Sequence, residues 1–261
     1  MTHIETGVPR RNRKSRRYPA RSLRAPSFAV SVLIAIASVA AGADIPPTGK
    51  PIKLFDGKNL KHFDTFLRDK GFNSDPEGVF RVENGVVHVS GKEYGYFITK
   101  EDYGDYYLRL EFKWGDATYA PREGKARDAG ILYHVVGENK VWPRSLEFQM
   151  IEGGTGDILV VGGGSLTVNG ETKTRGRFDR FGKGPWQDIA GYRDPRNELE
   201  KPHGEWNLIE MIADGGHVKY WVNGKVANEG SGAAVTRGRI LFQSEGAEVF
   251  YRNIELRPLK K

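Results

Sequence analysis

The sequence predicts an all-β fold, a sandwich of two antiparallel sheets. In residues 106–114, YYLRLEFKW, apolar side chains at every second position alternate with charged ones from Leu108 onward, as in a strand with one buried face. Asn84-Gly85 and Asn223-Gly224 each separate two β-rich runs, and this dipeptide favours the tight turn of a β-hairpin. No helical period competes with these patterns. We therefore expect ten or more short strands in one two-sheet sandwich.

The other predicted strands are short β-rich runs of the same kind. They cover residues 79–82, 86–89, 130–136, 146–151, 207–212, 217–222, 240–243 and 249–256. Between them lies one long segment, 173–204, which is rich in glycine, proline and charge and lacks periodicity. A loop of this length in a compact domain is often functional, so we expect it to border a site.

The basic charge of the chain is confined to its N-terminus. The 261 residues contain 40 Lys plus Arg and 33 Asp plus Glu, a formal charge of +7. Residues 1–43 carry eight basic residues and one acid, which leaves 32 of each sign over residues 44–261. A nucleic-acid-binding domain normally keeps a basic excess on its folded part. The balanced composition therefore argues against a nucleic-acid partner.

Residues 1–43 have the features of a signal peptide. The apolar run 27–41, SFAVSVLIAIASVAA, follows Arg21 and Arg24 and ends at the small-residue pattern Ala41-Gly42-Ala43. It is shorter than the ~20 residues that a membrane-spanning helix needs. We expect cleavage after Ala43 and export to the periplasm or the exterior, with no membrane span left in the mature protein.

The mature chain, 44–261, is predicted to fold as one domain without covalent cross-links. The sequence contains no cysteine, so the exported fold has neither a disulfide nor a lipid-modified cysteine and depends on its core. About 218 residues suffice to bury one core.

Residues 128–157 hold most of the groups that could perform chemistry. Glu147 and Gln149 are two positions apart on a predicted strand and therefore share one face, while the apolar residues between and beside them face the core. Glu152 breaks this alternation, so either a bulge returns it beside the other two or the strand has ended. His134 lies on the preceding strand, where we expect it to face Glu147 and Gln149.

An aromatic residue stands next to this polar row. Trp142 lies on a proline-containing loop, and sugar rings pack on such exposed aromatic faces. The simpler interpretation is that Glu147 and Gln149 belong to the solvated face of a sandwich, where polar alternation is normal. Trp142 favours a carbohydrate cleft over that interpretation.

These segments resemble the 3-keto-disaccharide hydrolase family, also described as 3-keto-glycoside lyases and hydratases. The resemblance covers nearly the whole mature chain. Its marks are Leu54-Phe55-Asp56-Gly57-Lys58-Asn59-Leu60, Gly130-Ile131-Leu132-Tyr133-His134, Val141-Trp142-Pro143-Arg144-Ser145-Leu146-Glu147-Phe148-Gln149, Glu152, Gly156-Asp157, Lys201-Pro202-His203-Gly204-Glu205-Trp206-Asn207, Val222-Asn223-Gly224-Lys225 and Phe250-Tyr251-Arg252-Asn253-Ile254. Where other members often have Asp-His after a late-strand glutamine, this chain has Gln243-Ser244-Glu245, so that histidine's role does not transfer.

The resemblance implies a concanavalin-like jelly roll that cleaves glycosides oxidised to a ketone at carbon 3. Such a ketone acidifies the hydrogen on carbon 2, so a base can remove it and the enolate can expel the group on carbon 1. The catalytic candidates are Glu147, His134 and Glu152, and the substrate-binding candidates are Gln149, Trp142, Arg144, Tyr133, Asp157 and Gln243. Asp157 is an alternative to Glu152 for protonating the leaving oxygen. A divalent metal ion could polarise the ketone, and the sequence leaves open whether one is needed.

Two other functions remain open at this stage. Glu147-x-Gln149-x-x-Glu152 is similar to the Glu-x-Asp-x-x-Glu of retaining laminarinase-type glucanases, although Gln149 cannot ionise as the middle aspartate does. A non-catalytic, lectin-like carbohydrate-binding module is the third reading, because fold does not fix function.

Overall fold

The predicted fold class is confirmed by a computed structural model that describes residues 45–180 and 185–260. The predicted signal peptide, 1–43, lies outside the described residues. The described residues belong to one compact unit and form strands, turns and loops without an α-helix. Within these ranges no helix is long and apolar enough to cross a membrane.

Two eight-stranded antiparallel sheets make up the sandwich. The sheet that we call the front sheet has the spatial order β13 (Gly176–Phe178), β10 (Ile158–Val161), β9 (Arg144–Ile151), β8 (Asp128–Val136), β17 (Arg239–Ser244), β6 (Gly95–Thr99), β2 (Phe63–Leu67) and β3 (Gly71–Phe72). The back sheet has the order β16 (Lys225–Gly230), β15 (His217–Val222), β14 (Asn207–Asp214), β7 (Tyr106–Thr118), β18 (Ala247–Pro258), β5 (Val86–Val89) and β4 (Phe80–Glu83), with β1 (Ile52–Lys53) also pairing with β18. A small hairpin joins β11 (Leu166–Val168) and β12 (Glu171–Lys173).

The two Asn-Gly turns adopt the conformation that their sequence favours. Asn84 and Gly85 have φ values of 50° and 80°, and Asn223 and Gly224 have values of 50° and 77°. Positive φ at both central residues defines the turn type whose twist matches that of the paired strands. These turns close the β4–β5 and β15–β16 hairpins.

The core lies between the sheets and follows strand alternation. Leu108, Leu110 and Phe112 of β7 are fully buried, as the alternation predicts. From the front sheet, Phe148 stacks on Tyr220 of the back sheet with ring centroids 4.3 Å apart. Each buried side chain of this size stabilises the fold by ~1.5–3 kcal/mol. Since Leu146, Phe148 and Met150 all point into this core, the alternate positions of β9 point outward.

The sequence missed strands that have no solvated face. All five residues of β6, GYFIT, are buried, so the segment shows no polar alternation. β10 and β13 are short, and β13 lies inside the segment 173–204 that was predicted to be loop. Buried or very short strands give a weak periodic signal.

Candidate active site

A cleft of about 1050 Å³ opens on the outer face of the front sheet. Its floor is formed by β9 and β10, and loops and charged side chains form its walls. Its lining includes Arg122, Asp128, Lys140, Trp142, Glu147, Gln149, Leu159, Gly162, Gly163, Arg175, Arg177, Trp186, Asp188 and Glu245. Such a volume is at the upper end of those of small-molecule sites and exceeds the needs of one sugar ring.

Glu147 and Gln149 both lie in this cleft because β9 alternates regularly. Glu147 pairs with Leu132 of β8 and with Leu159 of β10, and Gln149 pairs with Gly130. The predicted shared face of the two polar residues is therefore present in the structure. Their predicted roles in catalysis and substrate binding stay predictions.

Gly130 allows two polar side chains to converge. A Cβ atom at this position would lie 2.2 Å from Oε1 of Glu147 and 2.2 Å from Oε1 of Gln243. The two oxygens are thus no further apart than twice that distance. Gln243 is buried, and neither its amide nitrogen nor its amide oxygen has a hydrogen-bond partner among the described residues. Gln243 does not itself line the cleft, so its unpaired amide lies behind Gly130 beside the Glu147 carboxyl group.

Asp128 is a cleft carboxylate that the sequence analysis did not select. Gln149 Nε2 donates a hydrogen bond of 2.6 Å to Asp128 Oδ1, and Arg122 Nη1 lies 3.9 Å from the other oxygen. Burial raises the pKa of Asp128 to about 7, against the opposing charges of Arg122 and Arg177. The signal was available, since Asp128 shares the parity of Gly130 and Leu132 along β8.

Glu147 lacks any such support. Its carboxyl group makes no hydrogen bond and no ion pair with the described residues, although it is only 3% exposed. Burial, together with the negative charge of Asp128, raises the pKa of Glu147 to about 8. The protonated form of Glu147 is therefore favoured at neutral pH.

Trp142 and Glu245 form one wall of the cleft. The loop 137–143 folds over the sheet, where Asn139 accepts hydrogen bonds from Tyr96 and Arg239. Trp142 is 45% exposed and donates a hydrogen bond of 3.2 Å from Nε1 to Glu245 Oε1. Burial and the charges of Asp128 and Glu147 raise the pKa of Glu245 well above its usual range. Trp142 therefore presents an accessible ring beside the carboxyl groups.

Arg177 is the cation on the opposite wall, and Asp157 holds it. Arg177 Nε donates a hydrogen bond of 2.6 Å to Asp157 Oδ2, and the backbone N–H of Arg180 donates to Asp157 Oδ1. Asp157 is fully buried and does not line the cleft. The structure therefore does not place Asp157 where the prediction of substrate contact needs it, because both of its oxygens are engaged by these contacts behind the cleft wall.

The long segment 173–204 does border the site, as predicted. Trp186 and Asp188 lie in the cleft lining. Trp186 Nε1 donates a hydrogen bond of 2.9 Å to the backbone oxygen of Glu152, and Asp188 Oδ1 lies 2.6 Å from Arg122 Nη2. Trp186 and Asp188 of this segment thus lie at the end of the cleft at which β9 finishes.

His134 does not join the carboxyl groups, which corrects the prediction. It has a φ of 52°, and the register of β8 against β9 shifts between Tyr133 and Val136. This bulge turns the buried ring away from the cleft. The ring nitrogens lie 3.1 Å from the backbone oxygen of Val235 and 3.3 Å from that of Gly104. Burial lowers the pKa of His134. His134 is therefore packed inside the fold and does not line the cleft.

Tyr133 and Arg144 are also placed outside the cleft. Tyr133 faces the core between the sheets, where its hydroxyl group lies 2.6 Å from that of Tyr220. Alternation requires this, since its neighbours in β8 of the other parity face the cleft. Arg144 is exposed at the start of β9 and is not part of the cleft lining. Tyr133 is therefore not positioned to bind a substrate in this cleft, whereas Arg144 lies next to the cleft at Gly162 without lining it.

Glu152 stabilises a loop and does not line the cleft, contrary to its predicted catalytic role. β9 ends at Ile151, so no bulge returns Glu152 to the polar row. Its carboxylate is 2.8 Å from Arg127 Nη1 and accepts hydrogen bonds from the backbone N–H groups of Arg127 and Gly191. These contacts fix the long segment against β8.

The donor set does not indicate a metal centre. Among the residues in ranges 45–180 and 185–260, no group of three or more His, Asp or Glu side chains could hold a metal ion. The four acids of the cleft lining, Asp128, Glu147, Asp188 and Glu245, therefore do not form a ligand set. We assign no chemical step to a metal ion.

A jelly-roll sandwich with a cleft lined by carboxyl groups and tryptophans belongs to the class of carbohydrate-active proteins. More specifically, the chain belongs to the family of 3-keto-alpha-glucoside-1,2-lyase-like domains, whose model matches residues 50–257. The match spans every strand of both sheets except the last residue of β18. The resemblance found in the sequence is thereby confirmed.

Two solved structures from Parabacteroides distasonis, both provisionally described as glycosyl hydrolases, share the fold. One is 21% identical with a TM-score of 0.52, and the match covers 80% of this chain and 94% of that one. The other is also 21% identical with a TM-score of 0.52, covering 81% of this chain and 100% of that one. Among curated proteins none matches the chain. At this level of identity the likeness shows the fold alone.

Proposed function

We propose that the protein cleaves 3-keto-glycosides by removing the proton on carbon 2 and eliminating the group on carbon 1, with hydration completing a net hydrolysis. The observation that carries this proposal is a pair of cleft carboxyl groups in different surroundings. Asp128 accepts a hydrogen bond from Gln149 and lies 3.9 Å from Arg122, whereas the Glu147 carboxyl group has neither a hydrogen bond nor an ion pair with the described residues. The contacts of Asp128 favour its charged form relative to that of Glu147, and two carboxyl groups in unlike surroundings can supply a base and an acid.

Asp128 is the proposed base. It takes the proton from carbon 2, and the electron pair of that C–H bond forms the enolate with the ketone at carbon 3. Arg177 lines the same cleft, and its positive charge can stabilise the negative charge that develops on the enolate oxygen. Asp157 accepts a hydrogen bond from Arg177 and another from the backbone N–H of Arg180, so the position of Arg177 does not depend on the substrate.

Glu147 is the proposed acid. As the enolate collapses, the bond from carbon 1 to the leaving oxygen breaks, and Glu147 protonates that oxygen. An enone and a free alcohol result. Water then adds to carbon 1 of the enone and gives one proton to the Glu147 carboxylate, while carbon 2 regains a proton from Asp128, so both carboxyl groups return to their starting states and the overall change equals hydrolysis. Trp142 and Trp186 provide aromatic surfaces for the sugar rings.

The retaining glucanase alternative loses Glu152, the second carboxylate that its sequence motif predicted. That reaction requires two carboxyl groups ~5 Å apart across one substrate bond. Glu152, the predicted partner of Glu147, is held by Arg127 and Gly191 outside the cleft. A lectin-like module remains the alternative without turnover, and the next experiment separates it from an enzyme.

Heavy-water labelling tests the proposed reaction. The protein is incubated with a 3-keto-α-glucoside in D₂O, and the products are examined for deuterium at carbon 2 after subtraction of spontaneous exchange. Asp128→Asn should abolish both labelling and cleavage, whereas Glu147→Gln should slow cleavage more than labelling. Cleavage of plain β-glucans at a comparable rate without label would overturn the proposal, and sugar binding without turnover would support the lectin-like alternative.

Export is a second part of the proposal and rests on the sequence of residues 1–43. Mature protein should begin at Asp44, since Ala41-Gly42-Ala43 fits a signal peptidase site. Mass spectrometry of protein from the periplasm or the medium measures this directly. Exported protein that retains the apolar run 27–41 would instead indicate an N-terminal anchor.

A further inference from the structure

The two ends of the cleft differ in charge. At the end where β9 finishes, acids neutralise the cations, because Arg122 pairs with Asp188 at 2.6 Å. On the wall beside Glu147, Arg177 pairs with Asp157 and lies 3.6 Å from Asp179. Of the four lining acids, Asp128 and Asp188 lie at this end, Glu147 lies within β9, and Glu245 is hydrogen-bonded to Trp142.

At the end where β9 begins, the cleft is lined by two cations without acidic partners. Lys140 lies on the loop 137–143, and Arg175 lies on the turn between β12 and β13. Both are exposed, and neither makes an ion pair or a hydrogen bond with the described residues. Glu138, the one acid of the loop 137–143, does not line the cleft. Unpaired positive charge therefore faces an open part of the cleft.

The floor between these cations carries no side chains. Gly162 and Gly163 follow β10 with φ values of 65° and 91°, a region that favours glycine. A Cβ atom on Gly162 would lie 2.8 Å from the Cα atom of Arg144, whereas one on Gly163 would meet nothing within 4 Å. Gly163 thus leaves open space at the end of the cleft that Lys140 and Arg175 line, whereas Gly162 packs against the backbone of Arg144.

We propose that this end of the cleft is a subsite for a leaving group that carries a negative charge, such as a carboxylate. The orientation rests on the proposed function, in which the oxidised ring lies near Asp128 and Glu147 protonates the oxygen of the leaving group. That group then extends along β9 toward Gly162. Two exposed cations on opposite walls attract an anion there and disfavour cationic leaving groups.

Binding of two matched glucosides tests the subsite without requiring turnover. The probes are 4-carboxyphenyl α-D-glucoside and its neutral 4-carbamoylphenyl analogue, measured by titration calorimetry with the full mature protein. The wild type should bind the carboxylate about five-fold more tightly, the size expected for exposed charge pairs. The preference should shrink at high ionic strength because salt screens exposed charges.

Charge-neutral variants locate the effect. Lys140→Gln combined with Arg175→Gln should remove the preference, whereas Lys58→Gln combined with Lys70→Gln should leave it unchanged, since these exposed lysines lie outside the cleft. Equal binding of both probes by the wild type, weak binding of both, or a preference that survives in the first variant would each overturn the subsite. The 3-keto forms of the same probes report on the reaction separately. Preferential binding without cleavage would refute the proposed function and leave the subsite standing.

Discussion

Each sheet of the sandwich carries acidic side chains on its outer face, and the two sets differ in how they are partnered. On the back sheet, Glu111 accepts hydrogen bonds from Arg252 at 2.8 Å and from Asn253 at 2.9 Å. Although burial acts to raise it, these contacts lower the pKa of Glu111. On the front sheet, the Glu147 carboxyl group makes no hydrogen bond or ion pair with the described residues, and burial together with the charge of Asp128 raises its pKa to about 8. The pKa of a glutamate is thus lowered on the back sheet and raised on the front sheet.

This difference separates a solvated sheet face from a site. Both glutamates alternate with core residues along their strands, so alternation alone does not distinguish them. Ion pairs and hydrogen bonds to an exposed acid add little to the stability of the fold, whereas a buried acid without such partners is disfavoured in its charged form. Groups of the second kind are concentrated at functional sites. The simpler interpretation of polar alternation therefore describes Glu111 and does not describe Glu147.

The comparison predicts a large contrast in activity. Glu147→Gln should reduce the kcat for a 3-keto-glycoside by ~100-fold or more, the usual size of an acid–base contribution. Glu111→Gln, the matched change on the back sheet, should leave kcat within about two-fold because Glu111 faces away from the cleft. Steady-state kinetics with circular dichroism of both variants checks this. Equal loss in both would mean that the front-sheet carboxyl group has no special role.

The same pair should also differ in the sign of its effect on stability. The pKa of Glu147 in the folded protein, about 8, exceeds its value of 4.5 in the unfolded chain. The stabilisation from its protonated form is present below pH 4.5 and is lost as the pH rises to 8. Glu147→Gln removes this titration, so it should raise the free energy of unfolding at pH 8 relative to wild type by ~2–4 kcal/mol.

Glu111→Gln should act in the opposite direction. Its lowered pKa means that the charged form stabilises the fold above the unfolded value of 4.5, and that this contribution is lost as the pH falls below it. The variant should therefore lose up to ~1 kcal/mol near neutral pH, since the site is partly exposed. Urea denaturation of both variants at pH 5 and pH 8 measures the two signs. Destabilisation of both variants at pH 8 would contradict the assigned state of Glu147.

The fold and the placement of the β9 residues in the cleft could be predicted from the sequence, because the patterns that indicate them are local. Alternation and Asn-Gly turns depend on neighbouring residues, so β7, β9 and both hairpins follow from them. The placement of Glu147 and Gln149 rests on the same rule. Trp142 was selected as an aromatic residue beside a polar strand, and the structure places it at the cleft wall.

The errors in the site arise where contacts are non-local. A bulge turns His134 away from its expected face, and no sequence pattern marks that bulge. Asp157 and Glu152 are occupied by arginines distant in sequence, Arg177 and Arg127. Partner choice of this kind depends on the tertiary fold, so these residues could be selected as acids but not assigned as structural.

Gly130 offers a geometric test of the convergence of Glu147 and Gln243. Gly130→Ala places a Cβ atom 2.2 Å from an oxygen of each side chain, so at least one must move. We expect a loss of ~1–3 kcal/mol in the free energy of unfolding, as for other overpacked sites, and a lower kcat. Gly104→Ala is the control, since its Cβ would meet no atom closer than 3.6 Å. A fully active, stable Gly130→Ala variant would show that the two side chains need not converge.

The last contrast concerns the aromatic residues of the two faces. Trp142 is 45% exposed at the cleft, whereas Trp206 lies beside the back sheet with the Arg252 guanidinium 4.0 Å from its ring centroid. A ring that packs on the sugar in both the ground and transition states contributes uniform binding, so Trp142→Ala should raise KM by ~10-fold with kcat nearly unchanged. Trp206→Ala should leave KM unchanged. Equal KM values in the two variants would remove Trp142 from the sugar-binding surface, whereas a drop in kcat for Trp142→Ala alone would indicate that its hydrogen bond to Glu245 positions the carboxyl groups.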